Sequence, residues 1–181
     1  MGKNNSSTRI DRAVDDINAV IERCQQVDKL EKGWQFLKEQ QDMATLVHEC
    51  VERVDQHHRF VVETLPRVQL TTDGELFKVI MNNLLENAIK YSATDQPLGV
   101  KVFKSNDQAH VCVQVSNAIG KAGVPDAQQV FAKYYRSELA HAKTGSGLGL
   151  YIVKSLTELL GGKVAYRVED GLVVFEICLP L

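Results

Sequence analysis

Between Ala118 and Gly149 the chain loses its hydrophobic period, although patterned segments flank it on both sides. A loop of that length inside a compact domain is functional or disordered, so the core must be built from the flanking segments. Upstream, Trp34–Leu37 reads as a short strand. Asp42 reads as the N-cap of a helix bearing Met43, Leu46, Val47, Cys50 and Val54 inward. Arg59–Glu63 and Arg67–Leu70 look like strands parted by Pro66, and Asp73 caps a strong helix running to about Tyr91. Strands follow at Val100–Lys104 and His110–Val115, joined at Asn106-Asp107. Downstream come a helix, Leu148–Leu160, and a hairpin, Lys163–Val168 with Leu172–Leu179, turned by Asp170-Gly171. Strands grouped with three helices predict an α+β fold: a two-layer sandwich of one mixed sheet with helices on one face.

The chain has 181 residues, enough for one globular domain of 149 residues (33–181) and an appended element. Twenty-one basic and 23 acidic side chains give a net charge of −2, which argues against a general nucleic-acid binder. No apolar run approaches the roughly 18 residues that span a bilayer, and no signal-peptide core is present. Cys24, Cys50, Cys112 and Cys178 are widely spaced with no C-x-x-C pair. They read as buried thiols in a reducing compartment, without a disulfide or metal framework. The appended element is residues 1–32. After a polar start, Ile10, Val14, Ile17, Ile21 and Cys24 form a heptad seam on a helix roughly 37 Å long. One reading lays this helix on the following domain. The other makes it one arm of a helical bundle whose second arm is absent from this sequence.

Two segments carry chemistry. In the helix ending at Tyr91, Asn83, Asn87 and Lys90 are spaced i, i+4, i+7 and share one face. Amide oxygens there suit Mg²⁺ and the ammonium suits phosphate; the plainer reading is a solvated polar face. The second segment is Gly145-Ser146-Gly147-Leu148-Gly149, directly before a helix. Glycines let backbone approach an anion, and the first N–H groups of a helix favour negative charge. The run lacks the Walker pattern and the Rossmann fingerprint, and Thr144 stands where a nucleophile elbow needs glycine.

In order along the chain, the Asn-bearing helix, the strand pair, Phe131-Ala132-Lys133-Tyr134-Tyr135-Arg136 and the glycine run resemble the ATP-binding catalytic domain of sensor histidine kinases. That domain belongs to a wider superfamily with gyrase, a heat-shock chaperone and mismatch-repair ATPases, built around a Bergerat-type ATP site. The resemblance covers roughly Trp34 to Leu181. It makes Asn83-Leu84-Leu85-Glu86-Asn87-Ala88-Ile89-Lys90-Tyr91 similar to the N box, with Asn87 the Mg²⁺ ligand and Lys90 and Tyr91 neighbours of phosphate or ribose. Asn83 stands where hydrolysing relatives carry a Glu, which suits a donor site that need not activate water. Phe131–Arg136 is similar to the F box, and Gly145–Gly149 to the box that wraps the triphosphate. Gly145, Ser146, Gly147, Leu148 and Gly149 are thus implied nucleotide contacts, and Arg136 balances charge as the γ-phosphoryl leaves. The first glycine box departs: where the family reads D-x-G-x-G, this chain has Asn117, Ile119 and about two extra residues before Gly123. Asn117 still offers an acceptor to the adenine amino group, without charge assistance.

The resemblance also recasts the N-terminal helix as the second helix of a dimerisation hairpin whose first helix bears the phosphoacceptor His. None of the five histidines fits that acceptor: His48-Glu49 begins suitably but lacks the following Pro. His141 and Lys143, with Lys133 and Arg136, either serve phosphate or remain solvated. What the resemblance implies is a protein-histidine kinase fragment using ATP and Mg²⁺, at the cytoplasmic end of a bacterial inner-membrane sensor. It would dimerise through a helical bundle and serve a response-regulator receiver domain. The membrane would be met only through a missing upstream part. The altered glycine box keeps a second reading in view, a degenerate pseudokinase that binds or signals without phosphotransfer. A serine kinase of the anti-sigma-factor type is a third, opposed by Asn83 and the F-box-like segment.

Overall fold

The computed structural model describes residues 37–55, 59–65, 67–93, 95–137 and 145–181, together with Ile21, Gln25, Asp28 and Lys32. Those four isolated residues are helical, and Lys32 pairs with Asp28 at 2.7 Å one turn away. The rest of the seam, Cys24 and Trp34–Phe36 lie outside the described residues, as does the boundary between 32 and 33. Leu37 is not in a strand; its N–H donates to Asp73 Oδ2 at 2.9 Å.

The elements are β1 (Glu39–Asp42), α1 (Met43–Val54), β2 (Phe60–Thr64), β3 (Gln69–Thr72), α2 (Gly74–Tyr91), β4 (Leu98–Lys104), β5 (His110–Ala118), α3 (Gly149–Leu159), β6 (Lys163–Glu169) and β7 (Leu172–Pro180). Two helix starts follow from side-chain caps. Asp42 accepts from the Thr45 N–H and Asp73 from the Leu76 N–H, each at 2.9 Å, which satisfies donors no intrahelical carbonyl reaches. The hairpin between β6 and β7 turns where Asp170 and Gly171 both have positive φ, 49° and 75°, the geometry that matches the twist of paired strands.

Five strands form a mixed sheet in the order β2-β4-β5-β7-β6, with β2 parallel to β4 and every other pair antiparallel. β1 and β3 form a separate antiparallel pair. The period-two pattern decides which face meets the helices. Val111, Val113 and Val115 of β5, with Val173, Phe175 and Ile177 of β7, join the core, where α2 contributes Phe77, Ile80, Leu84 and Leu85. Phe77 is fully enclosed, and a side chain of that size costs about 3–5 kcal/mol when cut back to alanine.

The reading of all four cysteines as thiols is corrected here. Cys112 and Cys178 are joined by a disulfide across a sequence separation of 66. They are direct partners in the β5–β7 register, so strand pairing brings together two residues whose spacing carries no hint of it. Cys50 is free and buried, and burial pushes its thiol up to about 11.

Candidate functional site

The same face of α2 that the spacing singled out looks into a solvent-open cleft. Asn83, Asn87, Lys90 and Tyr91 line it, so this face is not simply solvated. Asn83 is 7% exposed. Its Nδ2 donates to the Val79 carbonyl at 2.8 Å, while its buried Oδ1 has no partner among the described residues. A buried carbonyl oxygen without a donor is costly and marks a place for a ligand. Lys90 holds its ammonium 5.1 Å from the centre of the Tyr91 ring, and a Cβ on Gly145 would stand only 2.5 Å from that nitrogen.

Across the cleft the backbone is arranged for close approach. Gly147 has φ 71°, and its carbonyl accepts from the Tyr134 N–H at 3.0 Å; a Cβ there would come within 2.7 Å of the Tyr134 carbonyl carbon. Gly149 begins α3, and its Cβ would meet Asn83 Oδ1 at 2.9 Å. Among the described residues α3 has no side-chain cap bond at its N-cap, Leu148, whose own N–H reaches Ser146 Oγ at 3.3 Å. Gly145, Ser146, Gly147 and Gly149 all line the cleft. Leu148 turns its side chain into the core instead, 1% exposed.

The third wall carries the departure seen in the first glycine box. Asn117 is 4% exposed near the end of β5, with its Nδ2 donating to the Ala118 carbonyl at 2.9 Å. That bond fixes the amide so that Oδ1 is the atom left to accept from a ligand amino group. The extra residues fold into a turn closed by the Gly123 N–H on the Gly120 carbonyl at 3.0 Å, with Gly123 at φ 69°. Gly120 packs so tightly on the end of α2 that a Cβ would overlap the Tyr91 carbonyl oxygen. The insertion therefore rests on the Asn-bearing helix rather than filling the cleft.

Arg136 lines the cleft with Asn87 and Lys90, whereas Lys133 lies over the rings of Tyr134 and Tyr151, at 5.7 and 5.6 Å. The expected phosphate role of Lys133 has no support from that placement. His141 and Lys143 lie outside the described residues. Sequence reasoning missed Val173, Phe175, Pro125 and Tyr135, which complete an apolar wall. It also missed Tyr166, whose ring lies 5.2 Å from that of Phe175 and whose hydroxyl donates to the Pro125 carbonyl at 3.0 Å. Burial raises the Tyr166 hydroxyl above its ordinary pKa. The positional alternation of β6 and β7 hinted at Tyr166, Val173 and Phe175, though it says which face a residue takes without saying what it meets.

The donor set suits a magnesium-bound nucleotide: two amide side chains one helical turn apart, two cations, an orphaned buried oxygen, and a glycine cradle that a Cβ would fill. Residues 72–181 match the family model described as histidine kinase-, DNA gyrase B- and HSP90-like ATPase. The signal transduction histidine-protein kinase/phosphatase MprB of Mycobacterium sp. (strain KMS) is 37% identical over 134 residues, covering 71% of this chain and 25% of that protein. This chain thus spans about a quarter of that relative's length. Among solved structures, the mycobacterial sensor histidine kinase MprB superposes with a TM-score of 0.68 at 26% identity, over 80% of this chain and 97% of that one. Full-length ShkA in complex with AMPPNP shares the fold at TM-score 0.74 and 19% identity, over 100% of this chain and 40% of that one.

Proposed function

The chain belongs to the histidine kinase-, DNA gyrase B- and HSP90-like ATPase family, and from that premise we propose that it is the catalytic ATP-binding portion of a sensor histidine kinase. The observation that carries the reading is the convergence of Asn87, Lys90, Asn117, Arg136 and the Gly145–Gly149 cradle on one cleft. Adenine enters against Val173 and Phe175 with its amino edge on Asn117 Oδ1. The triphosphate follows the backbone of Gly145, Gly147 and Gly149. Asn87 would hold Mg²⁺, with Asn83 one turn away on the same cleft-lining face, and phosphate and water would supply the other oxygens this ion prefers. The ion would supply positive charge against the negative charge of the triphosphate. Lys90 and Arg136 stabilise the charge that develops as the γ-phosphoryl departs.

The acceptor is a His imidazole supplied by a helix of a longer parent protein or its dimer partner. An imidazole nitrogen attacks without a base to activate water, which fits an amide rather than a carboxylate at Asn83. Residues 1–32 are then part of the dimerisation hairpin, 33–181 the catalytic domain, and a response-regulator receiver domain the next acceptor. No described helix is long and apolar enough to cross a membrane. We place this portion on the cytoplasmic side of a bacterial inner-membrane sensor. The test is transfer of radiolabel from ATP in the full-length protein. Asn87→Ala is expected to abolish autophosphorylation and to weaken Mg-ADP binding by at least tenfold in calorimetry; normal autophosphorylation in that variant would sink the assignment. Nucleotide binding without transfer to any His would instead favour the pseudokinase.

A further inference from the structure

The Cys112–Cys178 bond lies on the sheet face turned away from the helices, since its neighbours along the strands, Val111, Val113, Ile177 and Leu179, point into the core. It plays no part in the cleft chemistry. We propose that this pair is a thiol–disulfide exchange site that opens and closes within the folded domain, with low-molecular-weight thiols or a protein dithiol as its co-substrate.

Three features support reversible exchange over a purely structural bond. The two cysteines are direct register partners, Cα to Cα 4.0 Å, inside a ladder running from His110–Pro180 to Ala118–Leu172. Backbone pairing on both sides holds the sulfurs in place when the bond is open, so it re-forms without refolding. Exposure is asymmetric: Cys112 is 2% exposed, whereas Cys178 is partly open to solvent. An incoming thiolate therefore reaches Cys178 Sγ, and Cys112 is the leaving group. The charges around Cys178 are mixed. Lys163 is its register partner on β6, and Glu176 Oε1 is 3.7 Å from Sγ, with Arg167 Nη1 engaging the other Glu176 oxygen at 3.0 Å. Lys163 and Arg167 offset the repulsion that Glu176 alone would exert on an arriving thiolate.

The exchange balances as two displacements. A thiolate bonds to Cys178 Sγ while the Cys178–Cys112 bond breaks, and Cys112 leaves as a thiolate that takes a proton from water. A second thiolate then attacks the outer sulfur of the mixed disulfide, releasing Cys178 and the external disulfide. Two thiols are oxidised and the protein gains two electrons. The span that the bond closes contains Asn117, Gly123, Arg136 and Gly145–Gly149, every part of the cleft outside α2. Redox state is thereby linked to the stability of the loop-bearing half of the site.

The test equilibrates the folded 181-residue chain in buffers of varied reduced-to-oxidised glutathione ratio, quenches exchange with acid, and counts alkylated cysteines residue by residue after denaturation. Cys112 and Cys178 are expected to become reactive together in one two-electron transition, with unchanged circular dichroism. The thermal midpoint is expected to fall by about 10 °C on reduction. Cys112→Ser and Cys178→Ser should each show a redox-independent midpoint close to that of the reduced parent. Labelling of both cysteines at every buffer ratio would show that the bond does not form. Protection from excess dithiothreitol until the fold is lost would show that it does not exchange. Either result overturns the proposal, and both are read on the unmodified chain even if a variant fails to fold.

Discussion

Asn83 Oδ1 and Gly149 face each other across the floor of the cleft, with only 2.9 Å between that oxygen and the place a Cβ on Gly149 would occupy. The oxygen is buried without a partner among the described residues, and the glycine backbone begins α3 beside it. Gly149→Ala is therefore expected to push the Asn83 amide aside and weaken Mg-ADP by at least about tenfold, or about 1.4 kcal/mol. Asn83→Ala should also weaken binding, but combining the two should cost less than their sum, because the alanine methyl no longer meets an amide. Calorimetric titration of the four proteins decides it, and strict additivity would disprove the coupling.

Two glycines with nearly the same backbone angle separate conformational cost from contact. Gly147 at φ 71° lies against the Tyr134 backbone, whereas Gly171 at φ 75° has nothing within 4 Å of a Cβ. Alanine at 171 bears only the left-handed penalty, about 1 kcal/mol. Alanine at 147 adds a contact of 2.7 Å to a backbone carbon that cannot rotate away. Gly147→Ala is expected to cost at least about 2 kcal/mol, lowering the melting temperature by about 5 °C, and to abolish nucleotide binding; Gly171→Ala should bind normally.

The elements that local chemistry decides were legible in the chain. Asp42 and Asp73 announce helix starts, Asp170-Gly171 announces a hairpin, and the alternation in β5 identifies its buried face. The spacing of Asn83, Asn87 and Lys90 pointed to the face of α2 that lines the cleft, because three and four residues bring side chains to one side of a helix. What stayed hidden depends on register and long-range packing. The disulfide follows from β5–β7 pairing, and the burial of Asn83 from the approach of α3. Leu148 shows the same limit inside a motif: the glycine run reads as one ligand loop, yet its leucine anchors the loop to the core.

Tyr166 holds one wall of the cleft from behind. Its hydroxyl donates to the Pro125 carbonyl, and Tyr135 Oη accepts from the next N–H, that of Asp126, at 2.9 Å. Two phenols thus fix the Pro125-Asp126 segment, of which Pro125 faces the cleft. Tyr166→Phe keeps the ring contact with Phe175 and removes only the hydrogen bond, worth about 1 kcal/mol. The expected result is a loss of a few-fold in ADP affinity with the fold retained. An unchanged dissociation constant would mean the wall is set without this bond.

Cys50 supplies a pH dependence with a definite sign. Burial raises its thiol from 9.0 to about 11 in the folded protein, while the unfolded chain titrates near 9.0. Between those values the unfolded state has lost a proton that the native state retains, so stability falls as pH rises through the window. The contribution is complete below pH 9 and lost by about pH 11, a difference of roughly 3 kcal/mol. Cys50→Val, which fills the same apolar site among Met43, Leu46 and Val47, removes this titration. Melting temperatures measured at pH 8 and pH 10 should therefore fall more steeply for the parent than for Cys50→Val, and equal slopes would show that folding leaves the thiol's pKa unchanged.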